Sequence, residues 1–298
     1  MSEPTPHVWH DRGLGTAYER YCFYQRLEAW ADSYGVESFL EGPVDGMAGI
    51  AGVHGVGLAR RGIPVVSAHR FERTAARARE VYAAAAPNAT VQFPVLASER
   101  EVASLPRADM VVCYHAVPFV EDPKAVLEAL AKLSRKVLVV TVCNPDNWGV
   151  SLVRSLGRLR GLSIEPPPIW NTKVLAPMLW KLGRVREHVY FDAPWWPDLP
   201  VAAGQSLSNR LVQLFTRKDT VRFLSDPGSA TLSERFVFGP EAWPYFGGPG
   251  WIDELLPALL RHPGFDGVTS PLLAPRLAHL HAFVVDTRGR QRKLEMVS

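Results

Sequence analysis

The segment Phe39–Gly49 reads FLEGPVDGMAG, an apolar run that ends in an acid and continues through a turn rich in glycine. A stretch compatible with a helix follows it. Parallel α/β sheets use this order of strand, turn and helix to present backbone N–H groups and a carboxylate to a nucleotide-like ligand. The alternative is a tight turn without a ligand. The candidate binding residues of this turn are Glu41, Gly42, Pro43, Asp45 and Gly46.

Strand-like and helix-like segments alternate around this turn. The apolar runs predict strands at 36–40, 63–68, 90–96, 109–114 and 137–143. Helical spacing or composition predicts helices at 14–34, 50–61, 71–86, 98–105 and 122–133. Five repeats with short links predict a doubly wound parallel α/β sheet, which binds ligands at the carboxyl ends of its strands.

The second half of the chain has a different composition. Many of the 25 prolines and 9 tryptophans lie beyond residue 165, so irregular backbone is expected there. A helix at 172–183 and strands at 185–191 and 277–287 continue the alternation. We therefore predict a core of residues 1–191 plus 276–298, with a loose arm at 1–13, and an irregular, α-rich cap inserted at 192–275. The cap's tryptophans form either an aromatic wall for an apolar substrate or the core of the cap.

Bulk properties exclude several classes of function. A net charge of +3, spread along the chain, does not predict nucleic-acid binding, and no apolar run reaches the length of a membrane span. The polar first residues do not form a signal peptide. Cys22, Cys113 and Cys143 lack metal-site spacing, which favours free thiols in a reducing cytoplasm. We expect a cytoplasmic protein with a small-molecule partner; a homodimer is left open.

The segment Asp109–Pro123 reads DMVVCYHAVPFVEDP: a buried strand, a polar loop and an acid–proline helix start. With the helix 71–82 and the strand 137–144, it resembles the class I S-adenosylmethionine-dependent methyltransferases, more narrowly the type 11-like branch that methylates small molecules. The resemblance covers 14–148 and, more weakly, 172–191 and 277–288. It implies a Rossmann-like sheet of seven mostly parallel strands, the seventh antiparallel.

The resemblance also implies a cofactor site for S-adenosylmethionine at the sheet edge. Glu41 and the backbone of 42–46 would approach its methionine part and ribose. His69 and Arg70 end the second predicted strand, where the family places an acid for the ribose hydroxyls, and Asp45 is a candidate substitute for that acid. Ser98 and Glu99 would lie near the adenine, and Tyr114 and His115 beside the sulfonium and the substrate.

Several candidate residues have two interpretations. His115 is either a catalytic base or a group that orients its loop, and Tyr114 either contacts substrate or packs in the core. His69 contacts ribose or lies on the surface. The segment Asp146–Trp148 follows the fifth strand and is a candidate substrate contact. His279 and His281 alternate on one strand, and a structural role is favoured because a metal site needs more ligands.

The sequence predicts a methyltransferase acting on a small, apolar or aromatic molecule, with His115 as the base if the acceptor is a hydroxyl or an acidic carbon. Two alternatives remain open. A nicotinamide-dependent oxidoreductase is weaker because Gly-x-Gly-x-x-Gly is absent from the first turn. A non-catalytic binding protein on the same fold is motivated by the altered glycine turn.

Overall fold

The computed structural model describes residues 11–44, 50–159, 166–193, 237–238 and 272–289. Asp45, Gly46 and most of the predicted α-rich cap, including its tryptophans, lie outside these residues. The division into core and cap stays a prediction.

The helices and strands follow the predicted alternation. The strands are β1 (Asp11–Arg12), β2 (Phe39–Val44), β3 (Val65–His69), β4 (Val91–Gln92), β5 (Ala108–Tyr114), β6 (Ser134–Cys143), β7 (Arg184–Phe191), β8 (Val237–Phe238) and β9 (Leu280–Asp286). The helices are α1 (Gly13–Tyr34), α2 (Val56–Arg60), α3 (Glu72–Ala85), α4 (Pro123–Leu133), α5 (Trp148–Leu159), α6 (Thr172–Trp180) and α7 (Ala274–Leu277), with 3-10 turns at Glu99–Ser104, Val117–Phe119 and Pro168–Trp170.

Seven strands form one sheet in the order β4-β3-β2-β5-β6-β9-β7. Strands β2 to β6 pair in parallel, and β9 is antiparallel to both β6 and β7. The chain moves outward from β2 to β4 and then returns to β5 on the other side of β2, so the strand order reverses between β2 and β5. The predicted fold class is confirmed, including the antiparallel last strand.

Alternation along the strands divides the core into two layers. Phe39 and Val112 face the layer that contains residues of α1, α2 and α3. Leu40 and Val111 face the opposite layer, which contains residues of α4 and α6. All seven residues of β5 are buried, as its continuous apolar sequence predicts. No helix in the described parts of the chain combines the length and apolarity that crossing a membrane requires.

Strand β2 is longer than predicted. It continues past Leu40 to Val44, so the candidate residues Glu41 and Gly42 belong to the strand rather than to a loop. The ladder to β3 pairs Glu41 with Ser67 and resumes at Val44, because Pro43 between them has no N–H to donate. Gly42 permits this close pairing, since a Cβ there would lie 2.7 Å from the Cβ of Ala68.

Other element boundaries also required correction. The predicted helix at 50–61 begins only at Val56, because Gly52 with φ +76° turns the backbone before it. The predicted helix at 98–105 is a 3-10 turn in which Ser98 makes no capping bond, although Glu101 accepts from the N–H of Ala97 at 2.9 Å. Residues 11–12, assigned to the arm, pair with β8. Helix α5 has no predicted counterpart.

Candidate functional site

The carboxyl ends of β2 and β5 lie side by side where the strand order reverses. Ligands of open α/β sheets bind in the crevice at such a reversal. Glu41 lies near the end of β2, Tyr114 ends β5, and His115 follows it. The structure therefore brings these three predicted residues to one edge of the sheet.

Glu41 belongs to a chain of hydrogen bonds that we call the buried network: Arg20, Glu41 and His54. The Arg20 guanidinium lies 2.8 Å from His54 Nε2, and His54 Nδ1 lies 2.5 Å from Glu41 Oε1. Because arginine can only donate, Nε2 accepts and Nδ1 carries the proton that His54 donates to Glu41. Arg20 also donates to the carbonyl of Ile50, and the backbone N–H of His54 donates to Glu41 Oε2 at 3.1 Å.

The buried network holds Glu41 as a carboxylate. Burial raises its pKa, but the hydrogen bonds from His54 and the positive charge around it outweigh this, so the pKa lies below its ordinary value. Both carboxylate oxygens are engaged within the protein. The network therefore attaches α1 to the turn before α2, and the predicted contact of Glu41 with a cofactor stays a prediction.

His69 is completely buried and holds two elements together. Its Nε2 lies 2.9 Å from Ser67 Oγ and its Nδ1 lies 3.1 Å from Thr74 Oγ1, at the start of α3. Burial lowers the pKa of His69 to about 4, so the ring is neutral near pH 7. It is not a surface residue. A ribose contact would require His69 to give up one of these two internal bonds.

Arg70, Ser98 and Glu99 line one cleft together with residues of α4. The Arg70 guanidinium donates to the carbonyl of Phe119 at 3.2 Å, in the loop that follows β5. Glu99 accepts from the backbone N–H of Glu121 at 2.9 Å. The structure thus brings these three predicted residues together, and two of them anchor the loop that leads into α4.

A second group of polar side chains meets at the sheet edge: Glu19, Tyr114, His115, Asp192 and His279. We call it the edge cluster. The Tyr114 hydroxyl donates to Glu19 Oε1 at 2.7 Å, and Asp192 Oδ2 lies 3.2 Å from His279 Nδ1. The rings of Tyr114 and His115 are 4.9 Å apart. Three elements supply the cluster besides β5, because Glu19 lies on α1, Asp192 follows β7 and His279 precedes β9.

The edge cluster shifts the acidity of its members. Burial, and then the charge of Asp192, raise the pKa of Glu19 to about 7, against smaller opposing effects of the Tyr114 hydrogen bond and of Arg20 and His279. Burial and the neighbouring Glu19 raise the pKa of Tyr114 well above its ordinary value, so the phenol keeps its proton. Tyr114 also packs in the core, with its ring 4.2 Å from His54, and its contact with substrate stays a prediction.

His115 is placed by an unusual backbone conformation, with φ +55°. Its Nδ1 lies 3.4 Å from Cys143 Sγ, and its buried Nε2 has no hydrogen-bond partner within the described ranges. Burial lowers the pKa of His115 to about 3, so the imidazole is neutral and weakly basic. The free Nε2 is available to a ligand, and its role as a base stays a prediction.

Of the residues that follow the fifth predicted strand, Asn147 makes several hydrogen bonds within the protein, and the substrate contact of Asp146–Trp148 stays a prediction. Asn147 donates to the carbonyls of Leu277 and Ala278, and its Oδ1 accepts from Gly149 N–H at 2.7 Å. His281 lies 2.9 Å from His188 and 3.1 Å from the carbonyl of Trp170, as its predicted structural role requires. The part of the chain that the structure describes contains no group of side chains suited to a metal ion, and its three cysteines are free thiols.

Sequence reasoning missed Glu19, Arg20, His54 and Asp192. Two signals could have found some of them. Glu19 and Arg20 interrupt an otherwise apolar stretch of α1. Asp192 directly follows a predicted strand, which is the same position that identified His115 after β5. His54 had no such signal, because its role depends on the unpredicted turn before α2.

Comparison with family models and with curated proteins finds no match. Solved structures do match. Magnesium protoporphyrin IX methyltransferase from Synechocystis PCC 6803, with bound SAH, is 16% identical over 62% of this chain and 82% of that chain, with a TM-score of 0.48.

Two further structures match over more of the chain. The plantazolicin methyltransferase BamL is 10% identical over 91% of this chain and 85% of its own, with a TM-score of 0.42. A SAM-dependent methyltransferase from Archaeoglobus fulgidus is 13% identical over 90% and 94%, with a TM-score of 0.41. The fold assignment rests on the strand order itself: a seven-stranded, Rossmann-like sheet with an antiparallel β9.

Proposed function

We propose that this protein is an S-adenosylmethionine-dependent methyltransferase that acts on a small molecule. The observation that carries the proposal is the edge cluster at the strand reversal. Its polar atoms exceed what the fold itself needs, because His115 Nε2 and Asp192 Oδ1 are buried without hydrogen-bond partners in the described residues. Unsatisfied buried polar groups cost about 1–3 kcal/mol each, so their retention favours a ligand.

The residues present fit the cofactor in part. The orphaned His115 Nε2 can hydrogen-bond a ligand, and the acidic pair Glu19 and Asp192 suits a cationic group. The cleft lined by Arg70 and Ser98 would take the adenine end. The contacts of Glu41 and His69 are internal, so the ribose and the methionine part would depend more on backbone N–H groups. When bound, S-adenosylmethionine supplies a methyl group already activated on a positively charged sulfur.

The task left to the chain is alignment and exclusion of water. Phe23 packs edge-on against Tyr114 at 4.5 Å, and α1 thereby covers the apolar side of the edge cluster. Tyr114, as a protonated phenol, orients Glu19 by donating to it. We propose that the acceptor is apolar or aromatic because the predicted cap is rich in tryptophan. These tryptophans lie outside the described residues.

Calorimetry tests this proposal directly. We expect binding of S-adenosylmethionine and S-adenosylhomocysteine, and none of the nicotinamide nucleotides. His115→Ala should weaken binding or methyl transfer at least about tenfold, which corresponds to the loss of one buried hydrogen bond to a ligand. His188→Ala, at the far edge of the sheet, is the matched control and should leave both unchanged.

The outcomes separate the alternatives. Binding of a nicotinamide nucleotide alone would identify an oxidoreductase. Binding of none of these compounds would favour a non-catalytic protein on this fold, which the internal bonds of Glu41 and His69 also favour. Unchanged turnover in His115→Ala, with cofactor binding intact, would exclude His115 as the base.

A further inference from the structure

Glu19 is held in a fixed place above the end of β5. Its neighbour Arg20 donates to the carbonyl of Ile50, and Tyr24, one turn further along α1, donates to the carbonyl of Val53 at 3.0 Å. These bonds attach α1 to the turn that precedes α2. The Tyr114 hydroxyl then fixes the carboxyl group itself through Oε1.

The second carboxyl oxygen of Glu19 is left for another group. Tyr114 occupies Oε1, and no hydrogen bond reaches Oε2 from the residues that the structure describes. The side chain is only partly buried, unlike its neighbour Arg20. Asp192 Oδ1 and His115 Nε2, both buried and unpartnered in the described chain, lie in the same cluster. Open hydrogen-bonding atoms within one cluster are suited to a polar ligand.

We propose that Glu19 is the catalytic base of the methyl transfer and that the acceptor is a hydroxyl compound, an inference that rests on the proposed function. The acceptor oxygen forms a bond to the methyl carbon while the carbon–sulfur bond breaks and its electron pair goes to sulfur. The hydroxyl proton moves to Glu19 Oε2. The products are the methyl ether, S-adenosylhomocysteine and the protonated carboxyl group, which returns its proton to water.

The charged and titratable groups around Glu19 suit this role. They are Tyr114 from β5, Asp192 after β7, His279 before β9, and Arg20 and Cys22 on α1 itself. Burial and Asp192 raise the pKa of Glu19 to about 7, where a general base works best near neutral pH. His115, with a pKa of about 3, is a much weaker base and is better suited to hold the acceptor through Nε2.

The first test needs no cofactor. In protein labelled with carbon-13 at the glutamate carboxyl groups, one signal should titrate with a midpoint near pH 7 and be absent from Glu19→Gln. Tyr114→Phe should move that midpoint upward, because the hydrogen bond that favours the carboxylate is lost, and Asp192→Asn should move it downward. Failure to find any glutamate titrating between about 6 and 8 overturns the proposal.

The second test measures methyl transfer from S-adenosylmethionine to phenol, catechol and 4-nitrophenol. Glu19→Gln should lower kcat for phenol and catechol by about 10²–10⁴-fold, the usual contribution of a general base, with KM nearly unchanged. It should affect 4-nitrophenol far less, because this acidic phenol is largely ionised at pH 8. Glu28→Gln, the same change on the same helix, is the matched control and should retain the wild-type rates.

Calorimetry on the same proteins distinguishes failure of the proposed function from failure of the assignment of Glu19. If the wild type does not bind S-adenosylmethionine, the proposed function fails and Glu19 has no methyl transfer to assist. If the wild type and Glu19→Gln bind it equally, but no phenol is methylated or kcat changes by less than about threefold, only the assignment of Glu19 is overturned.

Discussion

The buried network and the edge cluster lie next to each other at the same sheet edge, with the rings of His54 and Tyr114 4.2 Å apart. They use polar side chains in opposite ways. The side-chain oxygens and ring nitrogens of Glu41 and His54 all have partners within the protein. The edge cluster leaves His115 Nε2 and Asp192 Oδ1 without partners in the described residues. A satisfied network contributes to stability, whereas an unsatisfied one costs stability unless a ligand supplies the missing partners.

This comparison assigns different roles to two acids, Glu41 and Glu19. Glu41 occupies the position where the sequence resemblance implies a cofactor contact, yet its charge is balanced within the protein. Glu19 was not predicted from the sequence, yet its Oε2 has no hydrogen-bond partner in the described residues and its pKa is raised. Position in a motif therefore predicts where an acid lies along the fold, and its hydrogen-bond partners indicate whether it is available to a ligand.

The largest effect is expected from breaking the buried network. His54→Leu removes the buried hydrogen bonds that connect Arg20 to Glu41 through the imidazole ring. We expect a loss of about 3–5 kcal/mol in the free energy of unfolding, measured by urea denaturation at pH 7.

A surface pair provides the control for this loss. Arg61→Ala breaks an exposed ion pair with Asp32 and should cost less than about 1 kcal/mol. If His54→Leu costs no more than Arg61→Ala, the buried network does not stabilise the fold as its contacts indicate.

Much of the fold could be predicted because it depends on local patterns. The continuous apolar run of β5 and the acid–proline start of α4 identified a buried parallel strand and a helix N-terminus, and Asp122 does cap α4, with its Oδ1 accepting from Ala125 N–H at 3.0 Å. The turn from 50 to 55 was mistaken for helix, because its conformation depends on tertiary contacts with Ser67 and Arg20 that no local pattern reveals.

The site was harder to predict than the fold. Tyr114 and His115 could be found because they directly follow a recognisable strand. Glu19 could be noticed only as a polar interruption in an apolar stretch of α1, because its contacts with Tyr114 of β5 and with Asp192 after β7 form only in the folded chain. The same applies to His69, whose position was predicted correctly but whose bonds to Ser67 and Thr74 were not.

We expect an intermediate loss of stability from a substitution at Gly52, which lies against the side chains of Ser67 and His69. Its φ of +76° disfavours any side chain, and a Cβ would lie 2.3 Å from Ser67 Oγ. Gly52→Ala should therefore cost about 2–4 kcal/mol of unfolding free energy, the sum of backbone strain and overpacking.

Gly62 separates these two contributions. Its φ is +82°, but a Cβ there would meet nothing within 4 Å, so Gly62→Ala should cost only about 1 kcal/mol. If Gly52→Ala and Gly62→Ala lower the unfolding free energy equally, a methyl group at position 52 causes no overpacking against Ser67. The close packing described around Gly52 would then be wrong.

The smallest expected effect is on the pH dependence of stability, and its sign differs between the edge cluster and the buried network. The pKa of Glu19 is about 7 in the folded protein, above its ordinary 4.5, so its contribution to stability is lost as pH rises from about 4.5 to 7. Glu41 has a lowered pKa, so its contribution is present above pH 4.5 and is lost as pH falls. At pH 8, Glu19→Gln should stabilise the fold by about 1–2 kcal/mol, whereas Glu41→Gln should destabilise it.

Urea denaturation at pH 8 and pH 5 measures both changes. The stabilisation by Glu19→Gln should shrink toward zero at pH 5, because wild-type Glu19 is then protonated in the folded state and only partly ionised in the unfolded one. Glu28→Gln, the same change on the same helix, is the control for the substitution itself. If Glu19→Gln instead destabilises the protein at pH 8 as Glu41→Gln does, both acids are structural, and the edge cluster loses its distinction from the buried network.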